Sequence, residues 1–216
     1  MRLKRVFDLV LSVTGFILSL PLWFIFVFAI WIEDGGSVFY SQERAGLGLR
    51  VFKSLKFRSM MRDAEKGIGP QQAKMNDPRI TRIGRILRKT AMDELPQLWN
   101  IIRGDMSFVG PRALRPVEMD SDDPMPRSIF DFPGGKERSS VLPGLTGVAQ
   151  VLVKRNISRS EKFKYDLWYV RNRSFSLDLY LIALSFMITL KGGWGLIGDK
   201  LGYFAKDFKA KVEREL

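Results

Sequence analysis

Residues 9–32 carry no charged side chain and are dense in Leu, Phe, Ile, Val and Trp. At about 1.5 Å per helical residue, that run is long enough to cross a bilayer core of roughly 30 Å. Arg2, Lys4 and Arg5 precede it, and Glu33 and Asp34 follow it. The run is too long for the apolar region of a cleaved signal peptide and lacks a small-residue cleavage pattern. Pro21 removes a backbone donor near its middle and disfavours helical geometry at Leu20, while Ser19 can bond back to a carbonyl of the preceding turn. Two shapes follow: a kinked spanning helix, or a re-entrant helix-break-helix bent at Ser19 and Pro21 with both ends on one face. A second apolar stretch, 179–190, is too short to span and suits a core or interfacial helix.

Beyond residue 34 the pattern shortens. Val38-Phe39-Tyr40 and 49–57 read as strands around the turn-rich Ala45-Gly46-Leu47-Gly48. Gly46 and Gly48 do not extend into a dinucleotide-binding glycine pattern, because Val51 occupies the third position. Asp77-Pro78 predicts a helix start, with Arg79, Arg82, Arg85 and Arg88 on one side and Ile80, Ile83, Ile86 and Leu87 supplying apolar contacts. That basic side fits solvent or headgroups as well as bound phosphate. A second helix is predicted from Asp93, with Pro96 in its first turn and Leu95, Leu98, Trp99 and Ile102 as the buried stripe.

Asp93 and Glu94 thus fall at a positive helix end, where carboxylates are favoured simply as a cap and a dipole partner, and where an anionic ligand or metal is also favoured. Residues 104–112 read as a turn, a short strand and a rigid loop presenting Arg112. Residues 117–140 lose periodicity and predict a mobile surface loop, and 142–150 a turn entering a strand. Ser158 and Glu161 form a capping-box pair opening a helix over 158–172, followed by a helix over 177–190 and a basic tail.

Lys and Arg number 35 against 23 Asp and Glu, a formal charge of +12, which points to an anionic partner. The chain has no Cys and no His. That excludes disulfides, thiolate or imidazole nucleophiles and Cys/His zinc sites, and leaves carboxylates, Lys, Arg, hydroxyls or a hard cation. Magnesium fits, since it takes carboxylate, water and substrate phosphate oxygens and needs few protein ligands.

Several stretches together carry a family resemblance: Lys4-Arg5-Val6-Phe7-Asp8, Gln42-Glu43-Arg44-Ala45-Gly46, Lys56-Phe57-Arg58-Ser59-Met60, Asp93-Glu94-Leu95-Pro96-Gln97, the run from Gly104 through Asp105 and Met106 to Gly110-Pro111-Arg112, and Pro143-Gly144-Leu145-Thr146-Gly147. With these, the chain resembles the bacterial sugar transferases, small monotopic phosphoglycosyl transferases that begin lipid-linked glycan assembly. The family's Ser-Pro break appears here as Ser19-Leu20-Pro21, Leu142 stands where an Arg commonly precedes Pro-Gly, and Val148 replaces a common Trp.

The resemblance implies an α+β, mainly helical fold. A re-entrant membrane helix over 1–34 would be joined to a catalytic domain over 35–216 on the cytoplasmic face of the bacterial inner membrane. It implies a catalytic pair at Asp93 and Glu94, which would also hold Mg2+, and substrate contacts from Lys56, Arg58, Arg88, Arg112, Thr146 and Gln150. The implied partners are a uridine diphosphate (UDP) sugar donor, a polyprenyl phosphate acceptor and membrane lipids, without nucleic acid; a homo-oligomer is compatible. The rival readings are a membrane-anchored nucleic-acid-binding protein, motivated by the charge, and a non-catalytic membrane scaffold.

Overall fold

The computed structural model describes residues 2–64, 77–118, 127–153, 157–190 and 203–216. The apolar run forms helix α1, Arg2–Asp34. The expected helix-break-helix appears as one continuous helical element with Pro21 inside it. A proline removes only its own rung of the ladder, and neighbouring side chains brace the turn. Ser19 Oγ donates to the Phe16 carbonyl at 3.0 Å and accepts from Trp23 Nε1 at 3.1 Å. The Trp23 ring packs edge-on against Phe16 and Phe57, with centroids 5.1 Å away in each case.

Both ends of α1 are fastened to the same body. Near its start, Lys4 Nζ pairs with Asp178 at 2.5 Å, Arg5 donates to the carbonyls of Ile101 and Ile102 at 2.6 and 2.9 Å, and Asp8 accepts from Ser107 Oγ at 2.8 Å and Phe108 N at 3.2 Å. At its end, Glu33 accepts from the backbone N–H of Arg82 at 2.6 Å and Ile83 at 3.2 Å, and Asp34 pairs with Arg58. Between these anchors Leu18, Phe24, Ile25 and Phe28 remain exposed. An apolar surface of that kind needs a non-aqueous covering.

Strands β1 (Phe39–Ala45) and β2 (Val51–Phe57) form an antiparallel hairpin joined through a 3-10 turn at Leu47–Leu49. Phe57 packs under α1, with Ile30 and Leu87. Helix α2 is Arg82–Thr90. It does not start at Asp77: Asp77 spends its carboxylate on the backbone and guanidinium of Arg79, and Ile80 bridges to Met60. Thr81 is the cap, accepting from Gly84 N at 2.9 Å. Gly84 is required there, since an added Cβ would stand 2.0 Å from the Ser59 carbonyl oxygen.

Ala91, in the left-handed region at φ 57°, ends α2 and redirects the chain into a 3-10 turn at Met92–Glu94. Helix α3 follows at Gln97–Arg103, with Pro96 in the capping position. The expected helix start at Asp93 is therefore displaced by one turn, because the tight turn after Ala91 has first use of those residues.

Strand β3 (Ser107–Val109) pairs in parallel with β6 (Gly144–Thr146), and β4 (Val117–Glu118) pairs with β5 (Arg127–Ser128). Within 117–140, Ile129 and Phe132 are buried against Phe163, and helix α4 spans Gly135–Arg138. Residues 119–126 lie outside the described residues. The strand expected over 142–150 stops at Thr146 and gives way to helix α5, Val148–Leu152.

Helices α6 (Arg159–Asn172), α7 (Phe175–Leu190) and α8 (Tyr203–Glu215) close the core. Val151, Tyr169, Leu181, Leu184 and Val212 are buried together there. Ser158 caps α6, accepting from Glu161 N at 3.2 Å.

Candidate active site

Three elements converge above the β1–β2 hairpin. Strand β2 supplies Lys56, the turn after α2 supplies Asp93 and Glu94, and the loop after β3 supplies Arg112. Glu94 Oε1 accepts from Lys56 Nζ at 2.5 Å and from Arg112 Nη2 at 2.9 Å. A shallow cleft beside them is lined by Arg44, Ser54, Lys56, Glu94, Gln97, Arg112, Ala113 and Gly144.

Each member is placed by packing that needs no ligand. Asn100 of α3, fully buried, accepts from Leu55 N at 2.9 Å and donates to the Lys53 carbonyl at 2.8 Å, fixing the strand that carries Lys56. Gly110 and Gly144 bring the two chains of the β3–β6 pair together, where Gly110 N donates to the Thr146 carbonyl at 3.0 Å and Gly144 N to that of Pro111 at 2.9 Å. A Cβ on Gly110 would meet the Leu142 carbonyl oxygen at 2.3 Å. The Arg112 carbonyl is held by Arg138 Nη2, and the Arg138 guanidinium is fixed by Asp166 at 2.7 Å and lies 4.8 Å over the Phe163 ring.

The adjacent carboxyls are driven in opposite directions. Burial raises Asp93 above its ordinary range by more than Lys56 lowers it; the Glu94 charge adds to the rise, and Arg88 and Arg112 oppose it. Burial also acts on Glu94, but Lys56 and Arg112 outweigh it through charge and direct hydrogen bonds and hold that carboxyl well below the usual range. The result is one firmly ionised, cation-bound carboxylate next to one of higher proton affinity, within an arginine-rich surround. Opposed environments of this kind occur at sites of chemistry and also in structural ion-pair networks, so the pair counts here together with the convergence of Lys56 and Arg112 on Glu94.

The chain's family can be decided on top of this geometry. The model describing the bacterial sugar transferases matches residues 1–192. The chain belongs to the bacterial sugar transferase family. It is 37% identical over 204 residues to the UDP-galactose-lipid carrier transferase of Erwinia amylovora, covering 88% of this chain and 40% of that protein. It is 38% identical to the exopolysaccharide production protein ExoY of Rhizobium meliloti, covering 83% of this chain and 81% of that protein. With the undecaprenyl-phosphate glucose phosphotransferase of Komagataeibacter xylinus the identity is 37%, over 84% of this chain and 35% of that protein. The chain thus spans well under half of the first and third of these relatives and most of the second.

The fold brings Lys56, Asp93, Glu94 and Arg112 together, with Arg88 close enough to act on the Asp93 charge. Three other expected contacts lie elsewhere. Arg58 is at the end of α1 with Asp34, Thr146 Oγ1 is bonded to Ser185 Oγ, and Gln150, like Asp93 and Arg88, is not among the residues that line the cleft. Sequence reasoning missed Arg44, Ser54 and Gln97 as cleft residues. Arg44 and Gln97 sit inside two of the motifs quoted above, so membership of those motifs was the available signal.

No group of three or more Asp or Glu suited to a metal occurs among the described residues. A cation that retains water and takes substrate phosphate, the habit of Mg2+, needs few protein ligands; Asp93 and Glu94 offer carboxylates of the right type, with Glu94 Oε1 already engaged by Lys56 and Arg112.

Proposed function

We propose that this enzyme transfers a sugar 1-phosphate from a UDP-sugar to polyprenyl phosphate at the cytoplasmic face of the bacterial inner membrane, the first step in building a lipid-linked glycan. The observation that carries this reading is the convergence of Lys56 and Arg112 on one oxygen of Glu94, the chain neighbour of Asp93, with Arg88 also near enough to act on the Asp93 charge. The relatives' names, which specify sugar and lipid-carrier transfer, support the reaction class.

An Asp93 carboxylate oxygen attacks the phosphorus bonded to the sugar. The bond from that phosphorus to the bridging oxygen breaks, the bridging oxygen leaves with uridine monophosphate (UMP), and a phosphosugar-aspartate forms. An oxygen of polyprenyl phosphate then attacks the same phosphorus. The Asp93–phosphorus bond breaks, the carboxylate is restored, and the product is a polyprenyl diphosphate sugar.

Both steps press anion against anion. Lys56, Arg88 and Arg112 offset that repulsion where the charge develops. Glu94 keeps Lys56 and Arg112 in position. Mg2+, held by Asp93 and Glu94, would supply further charge neutralisation on the phosphates.

The apolar, outward-facing α1 supports membrane placement, and its attachment to the catalytic body at both ends supports a re-entrant course, with neither end on the far side. The test of the reaction is a single-turnover experiment: enzyme, Mg2+ and UDP-sugar are mixed without acceptor. UMP release and a mass gain of one phosphosugar, mapped to Asp93, are the expected results. Release of UDP without an adduct would overturn the mechanism.

A further inference from the structure

We propose that Arg58 and Arg62, converging over Gly36 where the apolar helix ends, bind the phosphate group of a membrane lipid. Arg58 is only 8% exposed. It gives Nη2 to Asp34, but its Nε and Nη1 are buried without a hydrogen-bond partner among the described residues. Burying guanidinium donors unpaired is unfavourable, and the chemistry that best satisfies them is an oxyanion. Arg62 turns its guanidinium to the same spot. A Cβ built on Gly36 would stand 2.1 Å from Arg58 Nη1 and 2.4 Å from Arg62 Nε.

The local charge is unbalanced. Of the two carboxylates at this end of α1, Glu33 is taken up by the first N–H groups of α2, and Asp34 serves a single edge of Arg58. Asp34 also accepts from the backbone N–H of Gly36 at 3.3 Å, so the two guanidinium groups meet one carboxylate, and it is bonded to Arg58 alone of the two.

A lipid source follows from position. Phe24, Phe28, Trp31 and Ile32, all more than half exposed, cover the outer face of α1 just before this turn, and Met61 is 51% exposed beside Arg62. Tryptophan favours the membrane–water boundary, and the lipid phosphates lie where such an apolar face stops. Arg58 lies outside the cleft but only two residues beyond Lys56 in the chain, so polyprenyl phosphate on its way to the cleft is a second source of the same group. Bilayer phospholipid and polyprenyl phosphate share this headgroup chemistry.

The full-length chain in nanodiscs separates the two sources. One measurement is the phosphatidylglycerol retained after detergent extraction, counted by native mass spectrometry without donor present. The other is the Michaelis constant (KM) for polyprenyl phosphate in phosphatidylcholine nanodiscs. In Arg62→Gln, loss of one charge-assisted contact is expected to change one or both by about tenfold. A fall in retained phospholipid assigns the site to the bilayer, a rise in acceptor KM to the substrate lipid, and both together to each.

Gly36→Ala should act in the same direction, because its methyl displaces both guanidiniums without removing charge. It takes the place of Arg62→Gln in both measurements if that variant does not fold. Wild-type values in both measurements would overturn the proposal. Only the acceptor measurement rests on the transferase reading, so failure of that reading leaves the phospholipid count intact.

Discussion

Arg138 donates its Nη2 to the backbone carbonyl of Arg112, so a buried side chain on α4 sets the height of the loop that presents a cation to the cleft. Arg138 itself is fixed by Asp166, both less than a twentieth exposed. Removing one partner of such a pair leaves the other buried and unpaired, which costs about 3–5 kcal/mol. Arg138→Met should therefore unfold at markedly lower denaturant, whereas Arg138→Met combined with Asp166→Leu should lose less than the two single changes added together. Additive losses in that double-mutant cycle would remove the coupling.

The same pair predicts a pH dependence. Burial already raises the Asp166 carboxyl against the pull of Arg138. Without Arg138 the folded-state value rises further above the unfolded one, so the neutral acid is the stabilised form. The stability of Arg138→Met should be greatest in acid and be lost as pH rises through the folded-state value. Unfolding curves for variant and wild type across that range test the sign: a variant that weakens further in acid contradicts it.

The attachment of α1 at both ends predicts its topology. Leu3 and Ser37 are exposed at opposite ends of the helix. Single cysteines placed there should react with an impermeant maleimide from the same side of the membrane. Labelling from opposite sides would refute the re-entrant course. Pro21→Leu restores one backbone donor and should shift part of the population toward a spanning helix.

Much of this architecture was legible because it depends on local pattern. The uncharged run marks α1, the turn-rich glycines between two short strand candidates mark the hairpin, though its first strand extends to Ala45, and Ser158 with Glu161 marks the start of α6. Errors arose where one local signal displaced another. Asp77 looks like a cap but closes its own turn onto Arg79, and left-handed Ala91 shifts the Asp93 segment out of α3. In the site, Asp93 and Glu94 stand out by residue type and position. The contacts of Lys56 and Arg112 with Glu94 join residues 38 and 18 positions apart and become visible only in three dimensions. Thr146 illustrates the converse: it lies within a quoted motif, yet its hydroxyl serves α7.

Arg112 and Lys56 share one oxygen of Glu94, so each protects the geometry of the other. Arg112→Ala should lower kcat/KM for the donor by about a hundredfold, in the range for loss of one charged contact to the transition state. Arg112→Lys should restore little of it, because an ammonium cannot reproduce the planar fork. Steady-state kinetics with varied UDP-sugar reads this directly. An unchanged kcat/KM in Arg112→Ala would take the residue out of the phosphate-binding set.

Asp93 and Glu94 are neighbours in the chain with different expected failures. Asn matches Asp in size and shape, so Asp93→Asn should leave thermal unfolding close to wild type. Its amide cannot form an acyl phosphate, so UMP release in the absence of acceptor should fall to background. Glu94→Gln removes the charge that holds Lys56 and Arg112, leaving two cations beside Asp93. The Asp93 carboxyl is then more easily ionised but less able to share a cation with its neighbour. Glu94→Gln should therefore need a higher Mg2+ concentration for half-maximal rate, and at saturating Mg2+ it should still yield the Asp93 adduct, more slowly than wild type. Chelation of Mg2+ should stop wild-type turnover and be reversed by adding the ion back. An Asp93→Asn variant that turns over at a near-normal rate, or a Glu94→Gln variant with wild-type Mg2+ dependence, would require the two roles to be reassigned.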